Sequence, residues 1–192
     1  MRAIPTLLAT LLFASVASAD TAEWAIDASH SHVGFSISHL VVSSVSGRFK
    51  EVSGKATLDE ADLTKSSVDL TIKVNSINTD DEKRDAHLKS ADFFDAAKYP
   101  EIKFHSTKIV RGGKQFKVTG ELTIRDVSKS VTLDGTLSKP IKSPWGKDVR
   151  GAKFEGKIKR GDFGLKWNKT LEAGGVVVGE DVSLDVALEI NK

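Results

Sequence analysis

The chain has 192 residues, 40% of them apolar and 28% charged, and a formal charge of +2. That suits one domain plus at most a targeting segment, and it excludes a membrane-embedded body and a nucleic-acid partner recruited by net charge. With no cysteine, disulfides, thiol nucleophiles, cysteine-ligated zinc, iron–sulfur clusters and c-type haem attachment are excluded as well.

Residues 1–19 read as a signal peptide. Met1-Arg2 supplies the positive start, Ile4 to Val16 is almost wholly apolar or small, and Ala17-Ser18-Ala19 is an A-x-A cleavage site before polar Asp20-Thr21. The apolar core is shorter than the roughly 20 residues a membrane span needs. Cleavage after Ala19, export to the periplasm and a domain over 20–192 are therefore expected.

Period-two alternation dominates the rest. Strands are expected at 31–39, 48–58 and 68–74, the last with Val68, Leu70, Ile72 and Val74 opposite Asp69, Thr71 and Lys73. Helical signal is confined to 80–97, where Thr79 or Asn78 is the expected cap and Asp80, Asp81 and Glu82 suit a first turn. The face is poorly apolar, so short helical pieces are expected, stopped by Tyr99-Pro100. Strands follow at 101–109 and 116–124, where Phe116, Val118, Leu122 and Ile124 share a face with Gly120. The last three are 129–138, 151–160 and 182–190, the final one with Val182, Leu184, Val186, Leu188 and Ile190 on one side. Eight strands with one apolar face each are the pattern of an all-β, antiparallel fold around one interior.

A sandwich and a closed barrel both fit. Gly54, Gly120, Gly135 and Gly156 each fall on the apolar face of a different strand. They either leave room for a ligand or permit strong coiling and bulges. Both readings favour a barrel, which has no exposed edge and at eight strands holds side chains or one slim ligand.

Chemical motifs are few. No nucleophile elbow, P-loop, dinucleotide fingerprint or H-E-x-x-H occurs. His30 and His32 are two apart and point to one side of a strand, as metal ligands often do, but His39 is out of phase and no cysteine or well-spaced carboxylate completes a site. Ser31 and His32 are adjacent, so on a strand they face opposite ways and cannot act as a pair. No site in the sequence needs an enzyme to explain it, and no cofactor or metal is expected. From Lys139 to Arg160 eight bases face two acids, a stretch suited either to a solvated outer face or to an anionic lipid surface or polar head group.

Several stretches together resemble the YceI-like family of bacterial periplasmic proteins. They are Trp24-x-Ile26-Asp27-x-x-His30-Ser31-x-Val33-x-Phe35 with His39-Leu40 and Gly47-x-Phe49, and Arg84-Asp85-x-His87-Leu88-x-Ser90-x-Asp92-Phe93-Phe94-Asp95 with Tyr99-Pro100-x-Ile102-x-Phe104. Gly120-x-Leu122-Thr123-Ile124, Arg160-x-Asp162-Phe163-Gly164-Leu165 and Val178-Gly179-Glu180-Asp181-Val182 complete the set. The resemblance implies an extended, eight-stranded, lipocalin-like antiparallel barrel that binds a long apolar molecule such as a polyprenyl chain or an isoprenoid quinone. It also implies a homodimer and no catalytic residue.

The expected function is thus a periplasmic carrier of an isoprenoid lipid, in transient contact with a membrane surface and without nucleic acid. A scavenger of lipophilic compounds is the alternative, and a histidine-based metal site or enzyme a third. The apolar lining is assigned to Phe35, Ile37, Leu70, Ile72, Phe104 and Phe116, and to Leu122, Leu133, Phe154, Ile158, Leu184 and Val186. Phe93, Phe94 and Trp167 are placed near the mouth, with 80–97 as a lid.

Overall fold

The computed structural model describes residues 21–171 and 174–192. The expected signal peptide, residues 1–19, lies outside the described residues. In chain order the strands are β1 (Thr21–His39), β2 (Ser43–Phe49), β3 (Val52–Asp59), β4 (Ser67–Lys73) and β5 (Ile77–Asn78). Helix α1 (Glu82–Lys89) follows, then β6 (Glu101–Gly112), β7 (Gln115–Ile124), β8 (Val127–Leu137), β9 (Ile141–Lys142), β10 (Asp148–Lys159) and β11 (Val178–Asn191).

All the pairings between these strands are antiparallel, in the order β11-β10-β8-β7-β6-β4-β3-β1, and β11 pairs back onto β1 to close the barrel. β2 and β3 act as one interrupted strand, since β2 pairs with Val33–His39 of β1 and β3 with its Thr21–Ala25 end. The wall is therefore eight strands around, narrowest in its pairing between β8 and β10, where only Asp134–Leu137 and Ala152–Glu155 are matched. Each of the eight expected strands is one of these walls.

The first strand begins ten residues earlier than its expected start. Ala22, Trp24 and Ile26 alternate inward in even phase, whereas Val33, Phe35 and Ile37 alternate in odd phase. The register along β11 advances by two residues while β1 advances from Asp27 to His32. This bulge absorbs the phase change and bends the strand. Within it Ser31 is buried, and its hydroxyl accepts from Glu189 N at 2.9 Å. His30 and His32, exposed on either side of buried Ser31, keep their expected common side, the outer one.

The expected cap of α1 is corrected. Asp81 caps it, its Oδ1 accepting from Arg84 N at 3.0 Å. Asp80 adopts a left-handed φ of 60°, which turns the chain and removes Thr79 from the cap position. Thr79 instead donates through both N and Oγ1 to buried Asp85.

The inward glycines do not leave space for a ligand. A Cβ on Gly135 would lie 2.6 Å from the Phe154 ring, and one on Gly156 would lie 2.5 Å from Leu133. On Gly120 it would strike the Phe104 ring. Side chains of neighbouring strands fill these places, so the glycines serve packing of the wall. Gly54, at φ 144°, lets β3 approach the Asp69 carbonyl, as only glycine can.

The barrel has one stoppered end. Fully buried Trp24 packs there with Ala56, Leu58, Val68 and Ile190, and the Lys192 ammonium sits 4.8 Å from its ring centroid. Arg150, buried beside it, donates to Glu60 and to the Ser138 carbonyl.

Candidate functional site

The barrel interior holds a cavity of about 460 Å³, within the range of small-molecule sites. Its wall follows from alternation: on a strand every second side chain points inward, and here those are aliphatic or aromatic. Val33, Phe35 and Ile37 of β1 enter from one side, and Phe104 of β6, Leu122 of β7 and Leu184 of β11 from others. Among the described residues, charged side chains line it only at one end, where Asp81, Lys83, Arg84 and Arg160 stand around the mouth with His39 and His87.

Eleven of the twelve expected lining residues face this cavity: Phe35, Ile37, Leu70, Ile72, Phe104, Leu122, Leu133, Phe154, Ile158, Leu184 and Val186. Phe116 does not; it lines a smaller space nearer the stoppered end. Phe93, Phe94 and Trp167 are at the mouth. Val45, Phe49, Ile124 and Val182 also line the cavity, and the alternation that marked their neighbours marks them too. Leu88 and Leu165 come from a helix and a loop, where no period-two signal exists.

Aromatic packing closes part of the mouth. Phe94 meets Phe49 edge-on at 5.7 Å, and the His87 ring lies edge-on to Phe93 at 5.0 Å and to Trp167 at 4.9 Å. His87 Nε2 is 2.9 Å from Asp92 Oδ2. Arg160, buried, pins the segment that carries Trp167. It donates to the carbonyls of Leu165 at 2.6 Å, Gly179 at 2.7 Å and Trp167 at 2.8 Å. Its charge is thereby spent on the backbone.

The basic stretch does not gather at the mouth. Lys142 pairs with Asp148, and Lys147 reaches Asn191 beside the stoppered end. Lys153, Lys157 and Lys159 are exposed along the outer face of β10. Only Arg160 of the eight bases lines the cavity.

The three N-terminal histidines are dispersed. His39 is at the mouth, exposed His32 pairs with Ala187, and His30 stands in the bulge. There His30 Nδ1 is 3.1 Å from Asp27 Oδ2 and 3.6 Å from Glu189 Oε1. Hydrogen bonds from Ser29 and His30 hold the Asp27 carboxyl down to about 2. The hydrogen bond to Asp27, reinforced by the Glu189 charge, raises the His30 imidazole above its ordinary value. Asp27, His30 and Glu189 bring their polar atoms within 4.8 Å of one another, so carboxylates that the sequence spacing did not reveal do stand beside His30, in a cluster remote from the cavity.

The sequence of this barrel matches a known family. The YceI-like domain model matches residues 24–190. The chain belongs to the YceI-like family. Protein YceI of Salmonella newport is 39% identical over 184 residues, covering 95% of this chain and 93% of its own. A UPF0312 protein of Photorhabdus laumondii is 41% identical over 162 residues, covering 83% and 84%. Among solved structures, Burkholderia cenocepacia BcnA superposes with a TM-score of 0.75 at 25% identity, covering 85% of this chain and 98% of its own. A polyisoprenoid binding domain from Saccharophagus degradans superposes with a TM-score of 0.62 at 19% identity, covering 87% and 97%, a likeness of fold. As a YceI-like barrel, this chain presents an apolar interior with a polar rim.

Proposed function

We propose that this YceI-like protein is a periplasmic carrier that holds an isoprenoid lipid, a polyprenyl chain or an isoprenoid quinone, inside the barrel. The observation that carries the reading is the cavity: about 460 Å³, apolar below the mouth, with polar groups gathered at one end. A long apolar tail with a polar head matches that division. Export rests on the N-terminal segment, with its positive start, short apolar core and A-x-A site.

Energetics favour carriage over permanent capture. Burying a forty-carbon chain from water is worth a gross of about 30 kcal/mol at ~0.8 kcal/mol per carbon unit, beyond the ~18–21 kcal/mol at which affinities saturate. In a cell such a chain already sits in a bilayer, so the exchange from membrane to barrel is close to balanced. Cargo can then be released, and fit decides selectivity. The tip of the β1–β2 hairpin supports contact with that bilayer. Val41 and Val42 are 74% and 86% exposed beside the mouth, and Leu40 and Val41 hold left-handed φ angles of 53° and 65°. A β-branched residue in that conformation is strained, and such strain clusters at functional sites.

The test is native mass spectrometry of protein isolated from its own periplasm, followed by organic extraction. A stoichiometric prenyl lipid or quinone is expected. Protein that arrives empty and takes up no offered isoprenoid overturns the reading, and uptake of unrelated lipophilic compounds in preference to isoprenoids turns it towards scavenging.

A further inference from the structure

The interior is not one space. Beneath the main cavity lies a second, of about 50 Å³. Along β11, Val182, Leu184 and Val186 face the upper chamber, and Leu188 and Ile190 face the lower. The same order holds on β7, where Leu122 is above and Phe116 below. Three side chains belong to both linings: Val68, Val118 and Phe154. They stand on β4, β7 and β10 and form a constriction between the chambers.

The constriction is held from behind. Val68 and Val118 are buried, and Phe154 lies against β8 in the place that a side chain on Gly135 would take, 2.6 Å from that Cβ position. Below it the lower chamber ends on the cluster around fully buried Trp24. A close-packed wall of this kind resists small displacements instead of yielding to them.

We propose that Val68, Val118 and Phe154 are a length gauge, the determinant of how long an apolar chain this barrel accepts. The proposal rests on the carrier reading above and adds to it. The tail enters from the mouth, fills the upper chamber and stops at the constriction. From Val178 to Val186 the wall of that chamber runs roughly 26 Å along β11 at about 3.3 Å per residue. A chain longer than the chamber must leave units at the mouth or fold back on itself, losing the burial that a shorter chain keeps. The linear prenyl chain of limiting length is therefore the preferred cargo, and chains one or more units longer are discriminated against by the space they lack.

The experiment measures binding of a series of all-trans prenyl alcohols, from geranylgeraniol to solanesol, by native mass spectrometry with pairwise competition. Wild-type affinity is expected to rise with length and then fall at least tenfold at a definite length. In Phe154→Ala the two chambers join, and the fall is expected to move to chains at least one unit longer, with a tenfold or greater gain for the first chain the wild type rejects. Adding Ala152→Leu, which fills the lower chamber, is expected to return the limit to the wild-type length. Circular dichroism and thermal melts establish folding, and Val118→Ala replaces Phe154→Ala if the latter does not fold. A limit that stays in place in the folded variant, or a wild type with no limit, overturns the gauge alone. A wild type that binds no prenyl alcohol of any length overturns the carrier reading and the gauge with it.

Discussion

Replacement of Gly135 by alanine perturbs the wall at one defined contact. The added Cβ lies 2.6 Å from Phe154 Cδ1 and 2.7 Å from Cε1, while the nearest backbone atom, the Lys153 carbonyl oxygen, is 3.5 Å away. Carbon atoms are at ease at about 3.5–4.0 Å, so the ring must retreat by about 1 Å, and the open direction is into the lumen. Overpacking costs about 1–3 kcal/mol, and replacing glycine within a strand returns about 0.5–1 kcal/mol. With a cavity to receive the ring, a net loss of about 1 kcal/mol is expected, or about 2–4 °C in Tm for a domain of this size. Valine at 154 has no atom beyond Cγ and so lacks both colliding positions, and Gly135→Ala in the Phe154→Val background is expected to be neutral or stabilising, a coupling of about 1 kcal/mol. Gly120→Ala is the contrast. Its Cβ would lie 2.5 Å from the His105 carbonyl oxygen on the paired strand, and a backbone atom has nowhere to go, so about 2–3 kcal/mol is lost and no change at Phe104 restores it. Urea and thermal unfolding of the single and double variants are the assay. Equal stability of Gly135→Ala and wild type, no coupling to position 154, or a smaller loss at Gly120 than at Gly135 would refute the reasoning.

Three further outcomes are expected. Trp24→Ala empties the stoppered end and should cost about 3–5 kcal/mol, read as a lower urea midpoint, while prenyl-alcohol binding in the upper chamber survives under folding conditions; a loss of binding in folded protein would contradict the separation of the two ends. Arg160→Met strips the carbonyls of Leu165, Trp167 and Gly179 of their shared donor and should cost about 1–3 kcal/mol for each carbonyl left unpaired, with hydrogen exchange accelerating first around 164–168; uniform exchange would place the effect elsewhere. By proton NMR the His30 imidazole should titrate above 6.5 and fall towards it in Asp27→Asn. Its stabilisation is present in full below pH 6.5 and is lost as pH rises through the raised value, whereas that of Asp27 is present above 3.8 and is lost as pH falls through about 2. An unshifted His30 would mean that the bulge cluster does not form in solution.

Some features were legible in the sequence because their signal is local. Alternation such as Val182-Leu184-Val186 decides which side chains share a face whatever surrounds the strand, and that placed eleven of twelve assigned residues around one cavity. The stretch 80–97 is helical only at Glu82–Lys89, as its poorly apolar face implied. Asp81 was named for the first turn instead of the cap, since a cap depends on the left-handed turn at Asp80 and not on residue type alone.

What remained hidden depends on atoms distant in sequence. The β1 bulge reverses the phase between Ile26 and Val33, and the extra residues are visible only against the register of β11. The inward glycines could not be assigned from one strand, because Gly135 is explained by Phe154 and Gly156 by Leu133, each across a pairing that sequence does not declare. Phe116 alternates in step with Val118 and Leu122 yet faces a different chamber, since alternation sets the side of a wall and not the depth along it. An all-β chain with an apolar face on each strand follows from the residue order, because burial of that face is a property of each strand. How the interior is divided, where it opens and which charges reach the rim follow instead from how the strands are staggered around the barrel.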